Sequence, residues 1–260
     1  MLDAERITAL LTTERFGRSL DVRGVTGSTN DDAREAAMRG APRGHVVVAD
    51  AQSGGRGSHG RAWSSPPGVD VYLSIVERLE IEPAAIPCVT LAVGLGVTDA
   101  IAALVPELAS RVRVKWPNDA WIDRKKTAGV LVESSSMGST QGPIVIGIGV
   151  GVNRVEWEGE LAATATSLRA SARERERDGF DRDLVIAQLL GAVERCVDTL
   201  VRDGAPATAR RLEARLAMLG ERVGIDGVVG TLVGLTDRGA LRLATADGER
   251  IVLSGTLRSA

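Results

Sequence analysis

Lysine is almost absent from this chain. Of the 32 basic residues among 260, only Lys115, Lys125 and Lys126 are lysines, and all three fall within one stretch, KWPNDAWIDRKK. Arginine is a planar, permanently charged fork, whereas lysine is a compact point charge on a flexible stem. The two do not substitute for each other at a phosphate or carboxylate. Keeping lysine in a single place marks that place as a candidate site, with an ordinary basic loop as the alternative. Histidine is equally scarce: His45 and His59 are the only two, which excludes a multi-histidine metal site. Cys88 and Cys196 are far apart and form no CxxC. A reduced, cytoplasmic protein without structural zinc is the simple inference. The net charge of −2 gives no bulk electrostatic reason to bind nucleic acid or an anionic membrane. The N-terminus is charged and amphipathic rather than secretory in type. No window is expected to approach the roughly 18 apolar residues of a membrane span.

What is present reads as an ordinary globular enzyme, with 44% hydrophobic and 25% charged residues. The length allows one large domain, or one large and one small. Helical and strand patterns alternate through the first four-fifths. Residues 31–39 read as a helix, with Ser28, Thr29 and Asn30 available as N-caps. Strands are expected at 45–50, 69–77, 111–115, 128–134 and 144–153, and a buried helix at 84–104. Residues 183–200 form an amphipathic helix pattern, followed by a second near 207–218. The charged segment 170–179 reads as a solvated helix or loop. After Gly220, short strand patterns are punctuated by Asp226-Gly227, Asp237-Arg238-Gly239 and Asp247-Gly248, the signature of a small all-β barrel. The expected division is a large domain over 1–218 and a β domain over 219–260. Without a regular βαβ rhythm, the class is α+β with a mixed sheet.

Three constellations carry chemistry. The loop at 54–63 reads GGRGSHGRAW. Its glycines let the backbone approach a ligand and present N–H groups to an anion, and Arg56 and Arg61 add charge. It is neither a Walker A loop nor a GxGxxG turn, and a flexible surface loop is the competing reading. The second is Lys115-Trp116-Pro117-Asn118-Asp119 followed by Lys125-Lys126-Thr127-Ala128-Gly129. A lysine beside an aspartate suits adenylation: the cation holds an attacking carboxylate against an α-phosphate, and the carboxylate takes Mg²⁺ or a proton. A turn with a solvated salt bridge is the alternative. In the third, Gly147, Gly149 and Gly151 share one strand face ahead of Asn153. That face has room for something flat, or for close sheet packing.

Together these motifs resemble the biotin protein ligase family. The resemblance rests on Ser28-Thr29-Asn30, Gln52, Gly55-Arg56-Gly57, Gly60-Arg61, Trp63, KWPND at 115–119, Lys-x-Ala-Gly at 126–129, GIGVGVN at 147–153 and Ala165-Thr166-Ser167-Leu168. It covers most of residues 25–170. It implies a mixed-sheet catalytic domain of the class II synthetase and biotin ligase type, followed by an SH3-like β-barrel. The implied activity forms biotinyl-5′-AMP from biotin and MgATP, then transfers biotin to a lysine of a biotin carboxyl carrier domain of acyl-CoA carboxylases. Carried over, Lys126 holds the biotin carboxylate and phosphate, with Asp119 and Arg56 as its catalytic companions and Asp119 as the Mg²⁺ ligand. Ser28, Thr29, Gln52 and the backbone near Arg56 bind the ureido ring, and Trp63 packs in the site. Asn118 and Asp119 serve metal, phosphate or incoming amine. Gly149 and Gly151 floor the biotin pocket, with Asn153 near the adenylate. Asn30, Gly55, Gly57, Ser58, His59, Arg61, Lys115 and Gly129 complete the implied binding set. The expected state is a monomer or weak homodimer.

Two departures stand out. The family loop usually reads Gly-Arg-Gly-Arg-x-Gly-Arg, and Ser58 stands where the second arginine belongs, with His59 beside it. A serine hydroxyl cannot pair with phosphate as a guanidinium does, so looser adenylate retention is one reading and sufficiency of the neighbouring arginines the other. About 27 residues precede Ser28, too few for a winged helix-turn-helix, so no DNA binding is expected. The rivals are a lipoate–protein ligase-like enzyme, with the same adenylation logic, and a non-catalytic biotin- or adenylate-binding protein.

Overall fold

A computed structural model describes residues 1–137, 140–172 and 179–260. The chain begins with α1 (Ala4–Leu10), β1 (Leu20–Thr26), α2 (Thr29–Met38), β2 (Val46–Gln52) and β3 (Val71–Glu77). Next come α3 (Ile86–Leu104), β4 (Val112–Lys115), β5 (Asp119–Ile122), β6 (Lys125–Met137) and β7 (Thr140–Val150). Two single turns, α4 (Leu161–Thr164) and α5 (Leu168–Ser171), lead to the long helix α6 (Arg182–Glu213). The last strands are β8 (Arg222–Ile225), β9 (Val228–Leu235), β10 (Leu241–Thr245), β11 (Gly248–Val252) and β12 (Arg258–Ser259).

The class is α+β, as the sequence suggests. Seven strands form one mixed sheet in the order β1-β2-β3-β7-β6-β5-β4, in which only β1 and β2 run parallel. Helices α3 and α6 cover one face of this sheet and cross closely. A Cβ on Gly96 would lie 2.7 Å from Val193 Cα, so the crossing needs glycine. The other five strands form a separate antiparallel sheet, β11-β10-β9-β8-β12. Its turns fall at the expected signals, with Asp226, Gly227 and Gly239 all at positive φ.

The structure corrects several expectations. Helix α3, at 19 residues with a mean hydropathy of 1.8, is long and apolar enough to cross a membrane by length and composition, contrary to the sequence reading. Here it packs inside the core, with residues such as Val89, Val93, Val97 and Ile101 fully buried. The two helices expected at 183–200 and 207–218 are, by contrast, both present: Gly204 (φ 78°, ψ 176°), just before Pro206, divides α6 into two. Strands β1 and β5 were not foreseen: the alternation of β1 holds only over Leu20, Asp21, Val22 and Arg23, and β5 is four residues without alternation. Ser28 occupies the N-cap of α2 but makes no side-chain capping bond. Most of the charged segment 170–179 lies outside the described residues.

The C-terminal sheet is tied to the strand that ends in KWPND. Val114 N–H donates to Arg215 O, and Ala217 N–H donates to Val114 O, at 2.9 and 2.8 Å. The buried Trp116 indole N–H donates to Gly239 O at 2.9 Å. Leu91, Leu95, Trp116 and Leu212 share one hydrophobic cluster with Val223, Leu232, Leu241 and Leu257. Strand β4 is thus braced from the side opposite its sheet partner.

Candidate active site

Two adjoining cavities open where β5, β6 and β7 meet the glycine-arginine loop. The first is narrow, about 30 Å³, and the second is about 520 Å³. Gly57, Ser58, Trp63 and Lys126 line both and so form the seam between them.

Apart from Arg56 and Lys126, the polar side chains of the first cavity are neutral. The first turn of α2 delivers Ser28, Thr29 and Asn30, each 4% exposed. Gln52 Oε1 accepts from the Thr29 N–H (2.9 Å) and from the Thr29 hydroxyl (3.1 Å), and its Nε2 donates to Ser65 Oγ at 2.9 Å. Ser74 donates to Asn30 Oδ1 at 2.6 Å and lies 2.8 Å from Thr29 Oγ1. Asn30 Nδ2 donates to Glu133 Oε2 at 2.7 Å. Buried hydroxyls and amides that satisfy one another are fixed in orientation. Ser28, whose side chain makes no capping bond, lines the same cavity.

The glycines of β6 and β7 determine what lies flat on the sheet, and here it is the Trp63 indole. Gly129 and Gly149 are register partners. A Cβ on Gly149 would stand 2.5 Å from Trp63 Cε2, and one on Gly129 would stand 2.8 Å from Trp63 Cζ3. At Gly147 the space is taken by the Asn30 side chain, and at Gly151 by the Thr166 carbonyl. Gly147 and Gly149 line the first cavity and Gly151 the second.

Lys126 reaches the seam because β6 is irregular. Asp119 pairs with Gly129 and Ala120 with Ala128, but Trp121 pairs with Lys126, leaving Thr127 as the extra residue. In a regular strand, positions three apart point to opposite faces. The bulge brings Lys126 Cε within 3.2 Å of where a Gly129 Cβ would stand. The Lys126 amine then lies 2.6 Å from Asp119 Oδ1 and 5.0 Å from the centre of the Trp63 ring.

The second cavity is charged and aromatic. Lys115, Asp119, Arg61, Arg124 and Arg154 line it together with Trp121 and Trp157. Lys115 sits 4.8 Å above the Trp121 ring. Burial pushes its amine below the ordinary lysine value, Asp119 opposing and Lys126 and Arg61 reinforcing the shift. Arg154 Nε lies 3.2 Å from Asp70 Oδ2, and its other nitrogens reach Ser64. Burial raises the Asp70 carboxyl, against the pull of the Val152 N–H and Arg154.

The implied site residues thus divide. Ser28, Thr29, Asn30, Gln52, Arg56, Asn118, Gly129 and Gly149 line the first cavity; Arg61, Lys115, Asp119 and Gly151 line the second; Gly57, Ser58, Trp63 and Lys126 line both. Three residues of the implied set line neither. Gly55 is a backbone anchor, accepting from Trp63 N–H at 2.9 Å. His59 sits at the loop tip with φ 58°. Asn153 spends both amide atoms on the Phe180 backbone, donating at 2.9 Å and accepting at 2.7 Å. Arg56 points its guanidinium at Asp31, in a bidentate pair at 2.6 and 2.7 Å. Sequence reasoning missed Ser65, Ser74 and Glu133, which carried no motif, and Arg154, Trp121 and Trp157. Of these, only Trp121 lay within the lysine stretch.

The sequence pattern of the biotin/lipoate A/B protein ligase family matches residues 24–153, and that of the biotin protein ligase C-terminal domain matches residues 219–256. A biotin–[acetyl-CoA-carboxylase] ligase of Mycobacterium tuberculosis is 33% identical over 244 residues, 91% of this chain and 87% of that one. The bifunctional ligase/repressor BirA of Bacillus subtilis is 37% identical over 140 residues, 53% of this chain and 42% of that one. The match thus spans less than half the length of the bifunctional relative. The biotin protein ligase from Aquifex aeolicus in complex with biotin and ATP superposes with a TM-score of 0.79 at 27% identity, covering 94% of this chain and 100% of that one. By its fold, its C-terminal sheet and its match to a relative over nearly the full length of both, the chain belongs to the biotin/lipoate A/B protein ligase family, on the biotin protein ligase branch.

Proposed function

We propose that the protein is an ATP-dependent ligase that activates biotin as biotinyl-5′-AMP and passes it to a lysine of a biotin carboxyl carrier domain. One observation carries the proposal: Lys126 stands at the seam of a cavity rich in hydroxyls and amides and a second one lined by cations and indoles. The ureido ring of biotin needs donors and acceptors in fixed places, and the Ser28, Thr29, Asn30 and Gln52 network supplies them. A nucleotide needs aromatic surface and cations, and the second cavity offers Trp121, Trp157, Lys115, Arg61 and Arg154. A carboxylate leaving the first cavity meets the α-phosphate beside Lys126. The Lys126 ammonium draws both anions to one point and neutralises charge as the carboxylate oxygen bonds to phosphorus and pyrophosphate departs. In the second step the acceptor ε-amine attacks the anhydride carbonyl, an amide forms, AMP leaves and one proton is released. Asp119, next to Lys126, fixes the lysine and is placed to take that proton.

Mg²⁺ belongs to the same proposal. Among the described residues no group of three or more His, Cys, Asp or Glu side chains could hold a metal. Nucleotide-bound Mg²⁺ needs only one or two carboxylates beside phosphates and water. Asp119 with neighbouring Asn118 fits that demand. Bound with ATP, the ion would neutralise phosphate charge and expose the α-phosphorus to attack. Both cysteines are free and buried, in keeping with the cytoplasmic setting we propose.

The test is ATP–pyrophosphate exchange by the purified protein with biotin, lipoate or no acid. Exchange with biotin alone is the expected result. Exchange with lipoate would move the substrate to the other branch of the family, and biotin binding without exchange would make the protein a sensor.

A further inference from the structure

Thr127, the extra residue of the β6 bulge, is 2% exposed. The backbone around it is held by strand neighbours. Its carbonyl accepts from Gly151 N–H at 2.7 Å, and the Lys126 carbonyl beside it accepts from Thr166 N–H at 2.9 Å. The side chain is another matter. Five hydroxyl-bearing residues line the second cavity: Ser58, Ser64, Thr127, Thr164 and Thr166. Ser58 Oγ accepts from Arg61 Nη2, and Ser64 Oγ from Arg154 Nη1, at 3.1 and 3.2 Å. Thr164 donates to Glu160 O at 2.9 Å, and Thr166 Oγ1 lies 2.8 Å from Ser171 Oγ. Of the five, only Thr127 Oγ1 has no hydrogen-bond partner among the described residues. A buried polar group without a partner is destabilising, so folded proteins keep few of them and each has a reason. Valine has nearly the same shape, suits a strand at least as well and would avoid that cost.

We propose that the Thr127 hydroxyl recognises the nucleotide of the second cavity, through a hydrogen bond to a hydroxyl of its ribose. The inference rests on the reading of that cavity as the nucleotide site, and it names a residue that sets the site's specificity. On that reading Lys126 holds the α-phosphate, and Thr127 is the next residue along the strand. In a nucleotide the ribose is joined to the α-phosphate through its 5′ oxygen, so the sugar lies beside whatever holds that phosphate. A ribose hydroxyl both donates and accepts, and so does a threonine hydroxyl, which makes the two a match. The methyl and hydroxyl groups of threonine are close in size. Rotation about χ1 between staggered positions exchanges them and turns the oxygen to a bound ribose without altering the packed volume.

The experiment measures the KM for ATP, 2′-deoxyATP and 3′-deoxyATP in pyrophosphate exchange at saturating biotin, for the wild type, Thr127→Val and Thr127→Ser. In the wild type, one of the two deoxy analogues should have a KM roughly three- to tenfold above that of ATP, the span of one neutral hydrogen bond. Thr127→Val should raise the KM for ATP by the same factor and leave the KM for that analogue unchanged, because both changes remove one bond. Thr127→Ser, which keeps the oxygen, should restore most of the discrimination. The unfolding midpoint of Thr127→Val should hold or rise, since the substitution removes a buried group that has no partner in the fold. An unchanged KM for ATP in Thr127→Val would overturn the proposal. So would an equal rise for ATP and both analogues, because the loss would not pass through the ribose. A lowered midpoint would overturn it too, by showing that the hydroxyl serves the fold. If the wild type shows no exchange, the ligase reading fails. The same comparison, made as Kd from the fluorescence of the lining tryptophans, then decides the role of Thr127 by itself.

Discussion

The two cavities share a wall but recognise by different physics. The first is narrow and lined mainly by hydroxyls, amides and glycine backbone, with Arg56 and Lys126 at its edge, and Ser74, Thr29, Asn30 and Gln52 are tied in one hydrogen-bonded chain. The second is wide, with three arginines, two lysines and three indoles around Asp119. A buried neutral network discriminates strongly, because a ligand that leaves a donor or acceptor unpaired incurs the full desolvation cost of that group. A charged, aromatic cavity binds phosphates and flat rings firmly but reads them less finely. On the proposed reading, hydrogen-bond matching falls on the acid and electrostatic holding on the nucleotide. Lys126 stands where the two meet.

The comparison is sharpest at that lysine. Lys126→Ala should cut biotin-dependent pyrophosphate exchange by about 10²- to 10³-fold, the scale for removing one preorganised charge-stabilising donor. A retained rate would move the role to Lys125 and dissolve the seam as the reaction point. A smaller effect is expected from Gly149→Ala, which adds one methyl group 2.5 Å from Trp63 Cε2. Overpacking of this kind costs about 1–3 kcal/mol, read as a lower unfolding midpoint and altered tryptophan fluorescence. Adding Trp63→Leu should recover part of the loss, since the two substitutions act on one contact. If Gly149→Ala leaves both readouts unchanged, the indole is not seated on the sheet, and the wall between the cavities is not what the fold implies.

Much of this was legible in the sequence, for definite reasons. Motif glycines and the clustered lysines announced themselves because their chemistry needs those residue types at those spacings. Turn signals such as Asp226-Gly227 marked the C-terminal strands, since only a few residues accept positive φ. What stayed hidden was three-dimensional. Nothing in the sequence says that Gly149 serves Trp63, a residue 86 positions earlier; the strand pattern showed only that something flat would fit. The bulge at Thr127 shows no deviation in composition, yet it decides which way Lys126 points. Asn153 looked like a site residue from its place in the motif, and its amide is spent on Phe180. Arg154, next to it, faces the second cavity and belongs to no recognised pattern.

Ser58 is the finest test of the comparison, because it touches both cavities. Its hydroxyl accepts from Arg61 Nη2 at 3.1 Å and lies 3.4 Å from Asn118 Nδ2. The serine is therefore a small, neutral link between the loop and the KWPND turn, at a place where the family pattern carries a second arginine. An arginine there would extend the charge of the second cavity to the edge of the first. A charge-assisted hydrogen bond to phosphate is worth about 1.5–3 kcal/mol against about 1 kcal/mol for a neutral one. After solvent screening at this exposed loop, Ser58→Arg should slow release of biotinyl-5′-AMP several-fold. Release is measured by trapping free adenylate with hydroxylamine after a single turnover without carrier protein. An unchanged rate would mean that Arg61 and its neighbours already hold the phosphate. The seam would then be governed by Lys126 alone, and Ser58 would serve only to fasten the loop to Asn118.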